Sequence, residues 1–326
     1  MPALAPFVRE VEVRLIERAR GIPRHEAEKS RVYHGSAVPH LGLAVPAQHA
    51  ALRERYRFSG LPITEQLPIW DAVWRQGRYY ETKCQALYYC GALRKPDDLV
   101  RAWPIVLPWI ELVDNWDSSD ELSAIYSRIL EVMPEKVYPV LCDWNRSSNP
   151  WKRRQSVLAL LYYSRSRRSV LPASKVFPLI ERLVDDKDRF VQKAVGWTLR
   201  EAQAPYPEET AAFIERFAPR LAAFAFTEAA GKLPPAVRAR LKPCGPRPGR
   251  FAHLLSNGCQ NEQRERRDPS VRQWRQRRIR REPEYRRRVK VLPRLQLRRR
   301  KVRLVGAVGK MLGLKREPFS LAIGGA

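Results

Sequence analysis

The sequence holds little cysteine and little histidine, and neither is placed for chemistry. The five cysteines, Cys84, Cys90, Cys142, Cys244 and Cys259, form no CxxC pair and no even framework. That excludes a disulfide scaffold and a cysteine-based zinc site, and it suits a reducing compartment. The five histidines fall at no metal-ligand spacing, so neither a metal nor a cofactor is expected. No apolar run approaches the roughly 18 residues that a membrane-spanning helix needs. The N-terminus carries acidic residues in an amphipathic pattern, unlike a signal peptide. These absences predict a cytoplasmic protein. Between residues 64 and 242 nothing alternates with period two, and no Asn-Gly or Asp-Gly hairpin signal occurs, which argues against strands there.

Negative charge is also scarce. The chain of 326 residues has 61 Lys and Arg against 34 Asp and Glu, a net charge of +27. The excess is uneven. Residues 244–326 hold 24 basic and 6 acidic side chains, or +18, which leaves 37 against 28, or +9, for residues 1–243. Both parts favour a polyanionic partner, nucleic acid first and an anionic membrane second.

What the chain does have is helical periodicity. "DDLVRAWPIVLPWIELV", "WKRRQSVLALLYYSR" and "FVQKAVGWTLREA" repeat apolar residues at helical spacing. Their short connections contain Pro, Asn, Ser or Asp, as helix–helix turns do. A weak internal repeat runs through them. "YETKCQALYY", "NWDSSDELSAIY", "PWKRRQSVLALLYY" and "RFVQKAVGWTLRE" each open with an aromatic residue, then polar or charged residues, then apolar ones. The markers Tyr80, Trp116, Trp151 and Phe190 are 36, 35 and 39 residues apart. That period is the length of a two-helix repeat. The expected fold is all-α: a HEAT-like or armadillo-type solenoid with a concave basic face. Lys83, Asp120, Arg154 and Lys193 are expected to stack along that face, one per repeat. Trp151 reads as a packing residue.

Residues 1–60 are less regular, with helices expected at about 3–20 and over "PAQHAALRERYR", where a proline sits in the first turn. Beyond "CGPRPGR" the helical pattern stops. An Arg-rich block follows that cannot bury enough apolar surface to offset its ordering entropy. The expected organisation is a helical-repeat domain over 1–243 and a disordered basic tail over 244–326. The tail reads equally as a nucleic-acid-binding arm or as a C-terminus in a shifted reading frame.

One stretch, "VDNWDSSDEL", admits two readings. Trp116 and Asp120 are four apart and share a helix face. Asp117 or Ser118 can cap a helix whose first turn then carries Asp120 and Glu121, where negative charge is favourable. Alternatively, a tryptophan and a carboxylate are presented together to a ligand.

"NWDSSD", "NPWKRRQSV" and "DKDRFVQKAVGWTLRE", in that order, resemble the AlkD-like family of bacterial DNA alkylation repair glycosylases. The resemblance covers roughly residues 5–242 and is most specific at "FVQKAVGWTLRE". It implies a HEAT-like solenoid that cradles duplex DNA, and excision of N3- and N7-alkylated purines by a monomer without a cofactor. Matched by motif, Trp116 and Trp197 fall on the family's two cleft tryptophans, Asp120 on its aspartate and Arg154 on its arginine. Through "HLGL", Tyr33 falls on a DNA-facing tyrosine. Lys83, Lys152, Arg153, Arg154 and Lys193 then become DNA-binding candidates. The alternative is a non-catalytic HEAT-like module that binds DNA or RNA through the same basic face.

Overall fold

A computed structural model describes residues 4–233, with the isolated stretches 237–238 and 290–291. A three-helix segment comes first: α1 (Ala5–Arg18), α2 (Arg24–His34) and α3 (Val45–Arg53). Five helix pairs follow. They are α4 (Ile63–Gln76) with α5 (Tyr80–Ala92), α6 (Pro96–Val106) with α7 (Trp116–Val132), α8 (Pro134–Trp144) with α9 (Pro150–Leu161), α10 (Ala173–Arg182) with α11 (Arg189–Ala202), and α12 (Pro207–Phe217) with α13 (Ala223–Ala229). The second helices α5, α7, α9, α11 and α13 pack side by side as one inner row. The all-α solenoid expected from the sequence is the observed fold. Among the described residues its one departure is a parallel pairing of Ser169–Val170 with Lys290–Val291. Two residues a side make no sheet face, so the architecture is unchanged. The expected boundary at 243 and the tail at 244–326 lie otherwise outside the described residues.

The repeat markers all open inner helices. Tyr80 and Trp116 are the first residues of α5 and α7, and Trp151 and Phe190 the second residues of α9 and α11. Side-chain caps fix three of these starts. Asn115 accepts from the Ser118 N–H, Asn149 from the Trp151 N–H, and Asp188 from the N–H groups of Phe190 and Val191. Each satisfies a donor that the first turn leaves unpaired. The cap of α7 is therefore Asn115, rather than Asp117 or Ser118. Its extended backbone aims the side-chain oxygen 2.9 Å from the Ser118 nitrogen. Asp117 is released for another contact, described below.

A second marker shares the same period. Pro68, Pro104, Pro139 and Pro178 lie inside α4, α6, α8 and α10. Each stands 12 residues before its repeat's aromatic marker, as 116 − 104 shows for Trp116. An interior proline removes a ladder hydrogen bond and pushes against the preceding turn, which bends a helix locally. Four of the five outer helices thus carry an interior proline in register with the inner row.

The core is rich in aromatic side chains at both ends, with Tyr206, Phe213, Phe217 and Phe226 buried in the last repeats. Trp70, Trp74, Trp109 and Tyr126 are fully buried, with Trp74 stacked on Trp109 at 5.4 Å. Each such side chain contributes about 1.5–3 kcal/mol relative to exposure. Polar side chains tie neighbouring repeats together. Gln155 donates to the Ser119 carbonyl at 2.6 Å and accepts from Ser123 at 2.8 Å, and Asn145 donates to the Leu179 carbonyl at 3.1 Å.

Two carboxylates hold the loop between α2 and α3 against the inner row. Glu81 accepts the N–H groups of Leu41, Gly42 and Leu43 at 2.8, 2.8 and 3.1 Å. Asp114 accepts the Ser36 hydroxyl at 3.1 Å and the Ala37 N–H at 2.7 Å. Gly42 is required in this turn. Its φ is +80°, and a Cβ there would meet the Ala27 backbone at 3.2 Å.

The closest approach in the inner row is at Gly196 of α11. A Cβ there would stand 2.6 Å from the Ala225 carbonyl oxygen and 2.9 Å from its Cα. Alanine favours a helix by about 1 kcal/mol over glycine. The clash is with backbone, which cannot turn aside as a side chain does. Gly196→Ala is therefore expected to lose a net 1–3 kcal/mol or so. For a domain of this size that lowers Tm by about 2–4 °C per kcal/mol. A thermal unfolding midpoint equal to wild type would rule out the close α11–α13 contact.

Candidate active site

Asp120 lies one turn into α7, and Arg154 comes to it from α9. The Arg154 Nη2 donates to Asp120 Oδ1 at 2.5 Å, Nη1 to the Phe190 carbonyl at 2.5 Å, and Nε to the Ser119 hydroxyl at 3.2 Å. Each guanidinium nitrogen is thus engaged, and the side chain braces α7, α9 and α11 together. Only 4% of the Arg154 side chain is exposed, against 17% for Asp120. Burial pushes the Asp120 carboxyl above the usual aspartate range, and Arg154 and Lys193 oppose that shift. The carboxylate is held in one orientation with an edge left open to solvent.

Trp116 is backed by a wall of rings. Its Nε1 donates to the Tyr33 carbonyl at 3.4 Å. Tyr33 meets it edge-on at 5.6 Å, and His34 stacks on it at 5.4 Å. Behind His34 stand His40 and Tyr80, whose rings are parallel at 4.1 Å. The His34 Nδ1–H donates to the Ser30 carbonyl at 2.7 Å, and the Ser30 hydroxyl shares a 3.0 Å hydrogen bond with His40 Nδ1. Burial, reinforced by His34, brings His40 down to about 4, so it is neutral at physiological pH. The Tyr80 hydroxyl donates to Asp117. Sequence reasoning found Tyr33 and Trp116 and missed His34, His40 and Tyr80, because histidines packed as rings obey no ligand spacing.

Trp197 is the corresponding ring on α11. Tyr162 and Tyr163 pack on it at 5.3 and 5.6 Å, and the Arg200 guanidinium lies over it at 5.6 Å. Its Nε1 is buried with no hydrogen-bond partner among the described residues. Tyr163 has φ +46°, a left-handed conformation that a bulky side chain adopts only when its surroundings hold it there.

The row of basic residues is engaged within the fold. Lys83 donates to the Trp74 carbonyl at 2.6 Å, and burial pushes its pKa down. Lys152 pairs with Glu111 at 2.6 Å. Arg153 holds Asp186 through two nitrogens at 2.6 and 3.2 Å and also donates to the carbonyls of Ser147 and Ser148. Lys83 and Arg154, two of the residues expected to stack along the concave face, are thus held by partners within the fold. Side chains near the inner-helix starts meet the carbonyls and carboxylates of adjacent turns and helices first. Asp120 is also out of step with the row. Lys83, Arg154 and Lys193 lie three residues after their markers, where α7 has Ser119.

The sequence profile of a family described as DNA alkylation repair enzyme matches residues 19–233. The chain belongs to this family. A predicted DNA alkylation repair enzyme from Enterococcus faecalis is similar in structure, with a TM-score of 0.51 and 18% identity over 65% of this chain and 96% of that one. At that identity the likeness speaks for the fold. AlkD2 from Streptococcus mutans aligns with a TM-score of 0.41 and 16% identity, over 61% of this chain and 91% of that one. No curated protein matches. The matched span of this repair-enzyme family takes in α2 to α13 and every site residue named above. Among the described residues, no group of three or more His, Cys, Asp or Glu is arranged to hold a metal ion. No described helix is long and apolar enough to cross a membrane.

Removing Arg154 strips Asp120 of the charge that offsets its burial. Arg154→Ala is expected to cost about 3–5 kcal/mol at neutral pH, the usual cost of breaking a buried pair from one side. The sign with pH follows from linkage. A folded carboxyl raised above its unfolded value binds the proton more tightly when folded, so stability falls as pH rises between the two values. Loss of Arg154 raises Asp120 further and widens that window. Urea unfolding should therefore show a larger deficit for the variant at pH 8 than at pH 5. An equal deficit at both would mean that Arg154 acts by packing alone.

Proposed function

We propose that the chain is a DNA glycosylase that hydrolyses the N-glycosidic bond of cationic N3- and N7-alkylated purines in duplex DNA. The observation that carries this reading is Asp120, a carboxylate locked by Arg154 with one edge open to solvent, one turn along α7 from Trp116. Alkylation at N3 or N7 makes the purine cationic and a good leaving group. As the bond to the base breaks, positive charge develops on the deoxyribose. A fixed carboxylate stabilises that charge and positions the attacking water. The aromatic faces of Trp116 and Trp197 attract the same cation. The lesion supplies much of the driving force, so no general acid is needed to expel a base that is already charged.

In this scheme Arg154 is a positioning residue for Asp120 rather than a phosphate clamp, because each of its nitrogens is already used. That engagement also favours a second reading, a non-catalytic module that binds nucleic acid structure. A carboxylate neutralised by a buried arginine is what a purely structural helix contact would present.

Asp120→Asn separates the two. On the glycosylase reading the carboxylate acts in the transition state, whereas the ground-state duplex is anionic. Release of 7-methylguanine from duplex should fall by about 100-fold or more, with duplex affinity unchanged or slightly tighter. In wild type, release should lose its activity toward acid above the ordinary aspartate pKa of about 3.9, because Asp120 is raised by burial. A wild-type release rate in Asp120→Asn would leave Asp120 a structural residue.

The tail is proposed to lie outside the catalytic unit, since the family match ends at residue 233. A chain ending at residue 243 should still release 7-methylguanine, with weaker duplex binding at low salt because the Arg-rich block is gone. A soluble, folded 1–243 chain without release activity would place the tail inside the machine.

A further inference from the structure

One helix of the fold adds no buried side chain to the core. None of the residues of α2 is buried, although a packed apolar face is what holds most short helices in place. Its position is set at its C-terminal end instead. Gly35 closes the helix in a left-handed conformation, φ +69°, with its N–H on the Arg31 and Val32 carbonyls at 3.0 and 3.2 Å. The next two residues, Ser36 and Ala37, are held by Asp114. Asp114 is fixed in turn by the Asn115 amide, which donates to it at 2.7 Å while its oxygen caps α7. The end of α2 and the start of α7 are thus clamped to each other.

The clamp brings His34, the last residue of α2, onto Trp116, the first residue of α7. The imidazole lies 5.4 Å from the indole at an interplanar angle of 19°, and among the described residues it is the one ring stacked on Trp116. The imidazole is itself held on two sides. Its Nδ1–H donates to the Ser30 carbonyl one turn back at 2.7 Å. Behind it lie the rings of Tyr80 and His40, at 5.0 and 5.2 Å. Trp116 has no comparable anchor of its own. It is half-buried, and its Nε1 reaches the Tyr33 carbonyl only at 3.4 Å, a length at which a hydrogen bond orients a ring weakly.

We infer that His34 is a positioning residue that fixes the plane of the Trp116 indole for the reaction. The inference rests on the base-excision reading above, in which the Trp116 ring meets the positive charge developing on the deoxyribose. That attraction is directional, because the quadrupole of an aromatic ring is negative over its face and positive at its edge. An indole free to turn about its side-chain bonds presents its edge part of the time. The stacked imidazole removes that freedom before DNA arrives, so the ring need not be reoriented as the bond breaks. His34 acts through Trp116 and touches no reacting atom.

The test uses the full chain and a duplex carrying 7-methylguanine, with single-turnover release and duplex affinity measured separately. Two substitutions separate the ring from its hydrogen bond. His34→Phe keeps a ring and loses the bond to Ser30, whereas His34→Asn keeps a donor in that place and loses the ring. His34→Asn is expected to lower release by about 10- to 100-fold, the scale of a slightly misplaced group, with duplex affinity unchanged. His34→Phe should release at close to the wild-type rate. The loss should also depend on Trp116, so that His34→Asn costs little more in a Trp116→Ala background. Full release by His34→Asn, while wild type is active, overturns this inference alone. So does an equal loss in His34→Phe and His34→Asn, or a loss of the same size with and without Trp116. Duplex affinity that falls in step with release in His34→Asn makes the residue structural and overturns it too. A wild type that releases no 7-methylguanine defeats the base-excision reading itself, and this one with it.

Discussion

Arg154 spans three inner helices, and the site takes its form from where that guanidinium ends. Desolvating an arginine and an aspartate together costs several kcal/mol, and the attraction between them returns that only when the geometry is good and the remaining donors are satisfied. Here those conditions are met by the Phe190 carbonyl and the Ser119 hydroxyl. Such a pair adds little net stability compared with apolar packing of the same volume. What it does supply is direction. Asp120 keeps one orientation and a partly open edge, and those are the requirements of a site more than of a core.

The aromatic wall depends on a similar device at longer range. The loop after α2 has no helix or sheet ladder to satisfy its N–H groups. Glu81 on α5 and Asp114 just ahead of α7 take up four of them. That ties the N-terminal segment to the inner row and sets Tyr33 and His34 against Trp116. Acidic side chains are scarce in this chain, and several of those at the inner-helix starts are spent on positioning.

The repeat was legible because an aromatic residue opens each inner helix at a nearly constant period. The outer-helix prolines carry the same phase and were equally visible at Pro68, Pro104, Pro139 and Pro178. They were hidden by reading proline as a mark of helix ends. The site was legible as a set of residue types, and the pairing of Arg154 with Asp120 was not. Motif order puts both residues on neighbouring helices. It says nothing about which way a five-donor side chain turns when carbonyls and carboxylates lie on every side. The same blindness affected Lys83, Lys152 and Arg153, whose partners are the Trp74 carbonyl in α4, the Glu111 carboxylate, and loop atoms of Ser147, Ser148 and Asp186, which no spacing rule reaches.

The engagement of these cations changes how charge must work in this protein. Lys83, Arg153 and Arg154 each have a partner within the fold. On the proposed reading, the excess of +9 over residues 1–243, with +18 in the remainder, acts as a field that concentrates an anionic polymer. Within that field Asp117, Asp120 and Glu121 form a local patch of opposite sign. A phosphate is disfavoured there. A cationic base or an incipient cation on the sugar is favoured there, and more so because burial lowers the screening. On the proposed reading, attraction to DNA and discrimination of damage are thus assigned to charges of opposite sign, and the second set has to be small, buried and surrounded by the first.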